Sequence, residues 1–207
     1  MFKKTTVLAA VVIALLSFNP AYGYFINSPG DPALAGAWVD DMSTWPPGEW
    51  VAAIYVGHYS AEAQDNHSRF DSTYAGDYNM TGQYLDNGTY GNKGFSALKL
   101  TFYGGASAFG FHWGASDNTW SLTAYDAGNN VIEAHNLPIT KSSNAGEFYG
   151  LAACNIAYAI LANAGGYDWV MIDDLHIATG VVPVPGAVWL LGSGLVGLLG
   201  IGRKFSR

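Results

Sequence analysis

With one cysteine in 207 residues, the chain cannot close an internal disulfide. Noncovalent packing must therefore hold the fold. That cysteine, Cys154, lies in the apolar run LAACNIAYAI and reads as a small packing residue, with a reactive thiol or intermolecular bridge as the rival. Basic residues are also scarce. The chain has nine Lys and Arg against sixteen Asp and Glu, and residues 24–180 keep only Arg69, Lys93, Lys99 and Lys141 of the nine. All sixteen acids fall in that stretch, so its net charge is −12. Such a surface repels nucleic acid and anionic phospholipid and suits neutral glycans or divalent cations. Catalytic signatures are missing as well. No Gly-x-Ser-x-Gly occurs outside the terminal run around Gly192-Ser193-Gly194, and there is no His-Glu-x-x-His, phosphate-cradling loop or cysteine pair for zinc. His58, Asp65 and His67 are the nearest approach to a metal or catalytic set. The expectation is a protein that is not an enzyme.

What is present begins at the ends. Lys3 and Lys4, an apolar run over 7–16, a break at Asn19-Pro20 and small residues in Ala21-Tyr22-Gly23 form the pattern of a secretory signal. Cleavage is expected between Gly23 and Tyr24, with 1–23 removed. At the other end, residues 186–202 read GAVWLLGSGLVGLLGIG without a charge. With a few preceding residues they can cross a hydrocarbon core of about 30 Å. Arg203, Lys204 and Arg207 follow, and basic residues favour the cytoplasmic side. The predicted organisation is a signal peptide, one domain over 24–180, and a tail over 181–207 with a single transmembrane helix.

Val182-Pro183-Val184-Pro185, the Gly-rich apolar stretch and the terminal basic residues together resemble a PEP-CTERM sorting signal. The resemblance covers 182–207, with Val184 where the family usually has Glu. It implies processing by exosortase, an integral-membrane enzyme of Gram-negative bacteria, and association with exopolysaccharide or biofilm matrix. It also implies a transient inner-membrane anchor, with the body in the periplasm and then at the cell surface or in the extracellular matrix.

Residues 95–102 alternate as a half-buried strand up to Gly104-Gly105, and Phe109, Phe111 and Trp113 share one face of another. Trp120, Leu122 and Ala124 alternate before the turn Asp126-Ala127-Gly128-Asn129-Asn130, and Val131-Ile132 opens the return strand of a hairpin. Further strands are predicted over 50–56, 148–153, 156–161 and 169–177. Residues 29–45 and 61–93 read as long loops with short strands. The fold class is all-β, an antiparallel β-sandwich. The pattern over 95–178 resembles the jelly-roll domain of exosortase substrates and galactose-binding-like carbohydrate-binding modules.

Two groups of residues are candidates for binding. Asp173, Asp174 and Asp117, aided by Asn118, Asp126 and Asn129, are oxygen donors for a structural calcium. Adjacent strand residues point to opposite faces, so Asp173 and Asp174 would need a bulge to chelate together. Trp38, Trp45 and Trp50, with Tyr74, Tyr78, Tyr84 and Tyr90 in the irregular first half, are candidates to stack on sugar faces. Trp113 and Trp120 read as core. The leading expectation is a non-enzymatic structural or adhesive matrix protein with exosortase and exopolysaccharide as partners. A specific lectin-like carbohydrate-binding module is the alternative, and a secreted hydrolase using His58 or Asp173 ranks last.

Overall fold

The computed structural model describes residues 23–46, 48, 53–63, 68–87, 96–163, 165–166 and 168–180. The signal segment up to residue 22, the sorting motif, the apolar tail and the basic end lie outside these residues, as do Trp50, Asp65, His67 and Tyr90. Among the described residues no helix is long and apolar enough to cross a membrane.

Among the described residues, eleven strands form one hydrogen-bonded antiparallel network. They are β1 (Tyr24–Ile26), β2 (Trp38–Asp40), β3 (Ala53–Tyr55), β4 (Tyr59–Ala63), β5 (Arg69–Asp71), β6 (Tyr84–Asp86), β7 (Ser96–Gly114), β8 (Trp120–Tyr125), β9 (Val131–Leu137), β10 (Phe148–Asn163) and β11 (Met171–Ala178). The expected all-β, antiparallel class is what is found.

Two of these strands are much longer than predicted. Gly104-Gly105 does not end the strand it follows: β7 runs on for 19 residues. Both glycines take φ near +81°, a conformation glycine adopts without Cβ strain, and the strand bends there. The core-facing side chains change from Leu98, Leu100 and Phe102 to Phe109, Phe111 and Trp113 across the bend. The Phe102 and Phe109 rings then meet at 4.9 Å. β10 merges the two strands predicted over 148–153 and 156–161, and it bends beside Asn155, whose φ is +61°. A register shift in the β7–β10 ladder falls between Ala152 and Ile156, as expected where an extra residue kinks a paired strand.

Because the two longest strands bend together, the network folds over into two layers. One layer joins β2, β5, β6 and β11 to the second half of β7, the first half of β10 and β1. The other joins β3, β4 and the first half of β7 to the second half of β10, β8 and β9. The main core fills the space between them. It includes Trp113 and Trp120, both fully buried as expected, and their rings meet edge to face at 5.6 Å. Each large apolar side chain buried this way contributes about 1.5–3 kcal/mol. A smaller cluster of Ile26, Leu34, Ala108 and Phe148 covers the outer face of the first layer. Cys154 packs half-buried against it as a free thiol.

Candidate functional site

Beyond the strand ends, three loops and the lead-in to β11 converge. These are the β5–β6 loop, the short β7–β8 connection, the β9–β10 loop and residues 168–170. Each is polar and would not hold a shape alone, so the bonds between them decide their geometry.

Asn79 is the centre of the first tie. Its Nδ2 donates to the Trp113 carbonyl at 2.8 Å, its Oδ1 accepts from the Gly146 amide at 2.8 Å, and its own N–H donates to Asn144 Oδ1 at 2.8 Å. Asn144 returns a bond from Nδ2 to the Gly76 carbonyl at 3.2 Å. Below it, the Tyr78 carbonyl sits so close to Gly114 that a Cβ there has no room. This is why β7 ends in glycine.

Buried carboxylates make the next two ties. Asp168 accepts from the Asp117 and Asn118 amides at 3.0 and 3.1 Å and from Trp120 Nε1 at 2.6 Å. Asp173 accepts from the Thr81 amide and hydroxyl at 2.9 and 3.0 Å and from the Asp174 amide at 2.7 Å. Burial pushes the Asp173 carboxyl up and the Asp174 charge adds to this, while the Thr81 and Asp174 bonds hold it back. Ser116 and Thr140 close the remaining side, hydroxyl to hydroxyl at 3.0 Å, and the Lys141 amide donates to the Ser116 carbonyl at 2.9 Å.

These loops enclose a pocket of about 380 Å³. Three aromatic rings line it. Tyr74 lies edge-on to Tyr78 at 5.4 Å and to Trp169 at 5.2 Å. Behind them the buried Met80, Tyr84 and Met171 form a third apolar cluster. Asp117, Lys141 and Ser142 supply polar groups. Trp169 Nε1 is buried with no hydrogen-bond partner, one of eight such side-chain atoms among the described residues. The backbone here is also strained. Tyr78, Ala115 and Lys141 line the pocket with φ of +56°, +64° and +50°, and Asn79 beside them has +67°. Left-handed geometry in residues other than glycine concentrates at functional sites.

The residues singled out from sequence are distributed differently. The calcium set is not brought together. A bulge does interrupt β11 between Asp173 and His176, and Asp174 takes φ +47°. The bulge separates the two carboxylates, however: Asp173 faces Thr81, whereas Asp174 lies 3.7 Å from His112 Nε2. Asp117 sits in the pocket, and Asp126 is tied up within its own turn by Gly128 and Asn130. Among the described residues no group of three His, Cys, Asp or Glu is placed to hold a metal. Asp173 and Asp126 are each engaged in a separate hydrogen-bond network, and Asp117 lines the pocket.

Trp38 and Trp45 are partly buried and each stacks on a neighbouring ring, away from the aromatic pocket. Trp38 stacks on His58 at 4.2 Å, and Trp45 stacks on Phe70 at 5.7 Å with its Nε1 donating to Asp40 at 3.1 Å. Both pack against the main core. Trp50 lies outside the described residues. Tyr74 and Tyr78, marked in sequence among the first-half tyrosines, do line the pocket, while Tyr84 lies beneath it. Trp169 was assigned to a strand, and Lys141, Asn79 and Asp168 were not singled out for a site. The weak signal for Asn79 was its Asn-x-Thr match to a glycan acceptor, yet its amide is fully engaged. Gly23 packs against Glu133, and β1 starts at Tyr24.

No family model matches the chain, and no curated protein matches it. Several solved structures overlap it, two of them carbohydrate-binding modules. One is TmCBM61 in complex with beta-1,4-galactotriose, with 13% identity over 64% of this chain and 92% of that one, at a TM-score of 0.32. The other is a variant of CBM29-2, a family 29 carbohydrate-binding module, with 13% identity over 79% of this chain and 99% of that one, at a TM-score of 0.30. At these TM-scores neither overlap bears on what this chain binds, and the pocket geometry stands alone.

Proposed function

We propose that the chain is an exported, non-enzymatic glycan-binding protein of the cell surface or exopolysaccharide matrix, with the Tyr74–Tyr78–Trp169 pocket as its binding site. One observation carries this reading: three aromatic rings surround a pocket whose walls are fixed in advance by bonds between distant loops. Sugars present apolar C–H faces that stack on such rings, and hydroxyls that bond to rim groups such as Asp117 and Ser142. A preformed wall lowers the ordering cost of binding. Asp117 is the one carboxylate among the pocket's described lining residues, whereas glycoside hydrolysis generally uses two. That favours holding over cutting. The body is then a jelly roll of the carbohydrate-binding-module type. Its delivery follows the secretory signal, the inner-membrane tail and exosortase.

Glycan-array screening followed by calorimetry tests the reading. Trp169→Ala and Tyr74→Ala should each weaken binding at least tenfold while the protein still melts cooperatively. Failure of the native protein to bind any glycan, including its own cell's polymer, overturns it. Mass spectrometry of the mature protein tests delivery, with an N-terminus at Tyr24 and loss of 189–207 expected.

A further inference from the structure

We infer that the pocket selects sugars carrying a carboxylate, the uronic acids, and that Lys141 makes the selection. This rests on the glycan-binding reading above. The described Lys and Arg side chains are few, and two of the three are engaged. Arg69 pairs with Asp71 and Asp86, and Lys99 sits 5.0 Å over the Tyr158 ring. Lys141 makes no ion pair or ring contact among the described residues, in a body of net charge −12, and it lines the aromatic pocket.

Its backbone sharpens the point. With φ at +50°, position 141 would be cheaper to build from glycine or asparagine, which enter the left-handed region readily. The turn itself needs only the amide, which donates to the Ser116 carbonyl. Turn geometry therefore does not account for a lysine here, but a place in the lining of an aromatic pocket does. A ring stacked in the pocket would present its carboxylate to Lys141 and its hydroxyls to Asp117, which is held on the adjoining loop by Asp168. Since Asp117 and Lys141 form no ion pair with each other, the pocket keeps both an anion-binding and a hydroxyl-binding group. A charge-assisted bond adds selectivity that a neutral sugar cannot obtain.

Calorimetry on the full mature chain in EDTA provides the test, using oligomers of galacturonic, glucuronic and mannuronic acid, each as free acid and as methyl ester. The best free acid should bind about tenfold more tightly than its ester. Lys141→Asn should equalise the two while leaving Tm unchanged or raised, because asparagine tolerates the backbone better. Lys141→Arg should keep the preference. Equal binding of acid and ester by the native chain, or a preference that survives Lys141→Asn, overturns the inference and leaves glycan binding standing. A preference for a sulfated galactan over every uronate, lost in Lys141→Asn, also overturns it by assigning the lysine to sulfate. Absence of binding to these and to all neutral oligosaccharides brings down the parent reading with it.

Discussion

The turn of the β8–β9 hairpin and the loops around the pocket are both rich in Asn, Asp and Gly, and both hold left-handed backbone. They differ in where their bonds go. Asp126 satisfies amides two and four residues away, at Gly128 and Asn130. Asn79 reaches Asn144 and Gly146, and Thr81 reaches Asp173, at separations of 65, 67 and 92 residues. The hairpin turn is self-contained, whereas the pocket exists only after the whole sandwich has closed. Local closure makes a connection, and distant closure makes a site that can be held rigid around a ligand.

The comparison is broken most forcefully at Gly114. Gly114→Ala drives a methyl into the Tyr78 carbonyl and should lower stability by about 1–3 kcal/mol, with glycan binding lost. Thermal melting and calorimetry read both. Asn79→Gly keeps the left-handed backbone and the amide bond to Asn144 but removes the side-chain bonds to the Trp113 carbonyl and the Gly146 amide. An expected loss of about 1–3 kcal/mol follows from stranding the buried Trp113 carbonyl and its neighbours, and hydrogen exchange should accelerate in 73–81 and 141–147 together.

Acid gives the next smaller effect. Burial pushes Asp71 up, but bonds from Thr73 and Ser72 and the Arg69 charge outweigh it and hold the carboxyl below its ordinary range. Glu147 behaves likewise, with Ser143 the foremost of the groups opposing burial. A depressed folded-state pKa contributes stability above the unfolded value, about 3.8 for Asp and 4.5 for Glu. That stability is lost as pH falls through the folded value. Ligand affinity should therefore decline below about pH 4 before the near-ultraviolet circular dichroism of the core changes. Asp126→Ala sits at the bottom of the scale. It should shift Tm slightly and leave affinity untouched, and coupling between this turn and the pocket would erase the contrast drawn here.

The same contrast explains what the sequence could reveal. Trp120, Leu122 and Ala124, with the turn after them, declare their hairpin within 18 residues because every partner is nearby. Gly104-Gly105 and Asn155 misled for a physical reason: a residue able to take positive φ can end a strand or bend it, and only the partner strand decides. The pocket was half visible. Tyr74 and Tyr78 stand out in a polar stretch, but Trp169 reads as the start of a strand, and nothing near Lys141 in sequence announces the pocket it lines. Trp38 and Trp45 stand out by being aromatic in a loop-rich region, and their contacts with His58, Phe70 and Asp40 come from residues 5 to 25 positions away.

β11 begins at the pocket, where Met171 and the preceding Trp169 form part of the wall, and runs for eight residues to Ala178. A tug between a captured polymer and the C-terminal continuation would pass lengthwise along this strand, over about 25 Å. The rungs joining it to β7 on one side and to β2 and β6 on the other would share that tension simultaneously instead of opening one after another like a zip.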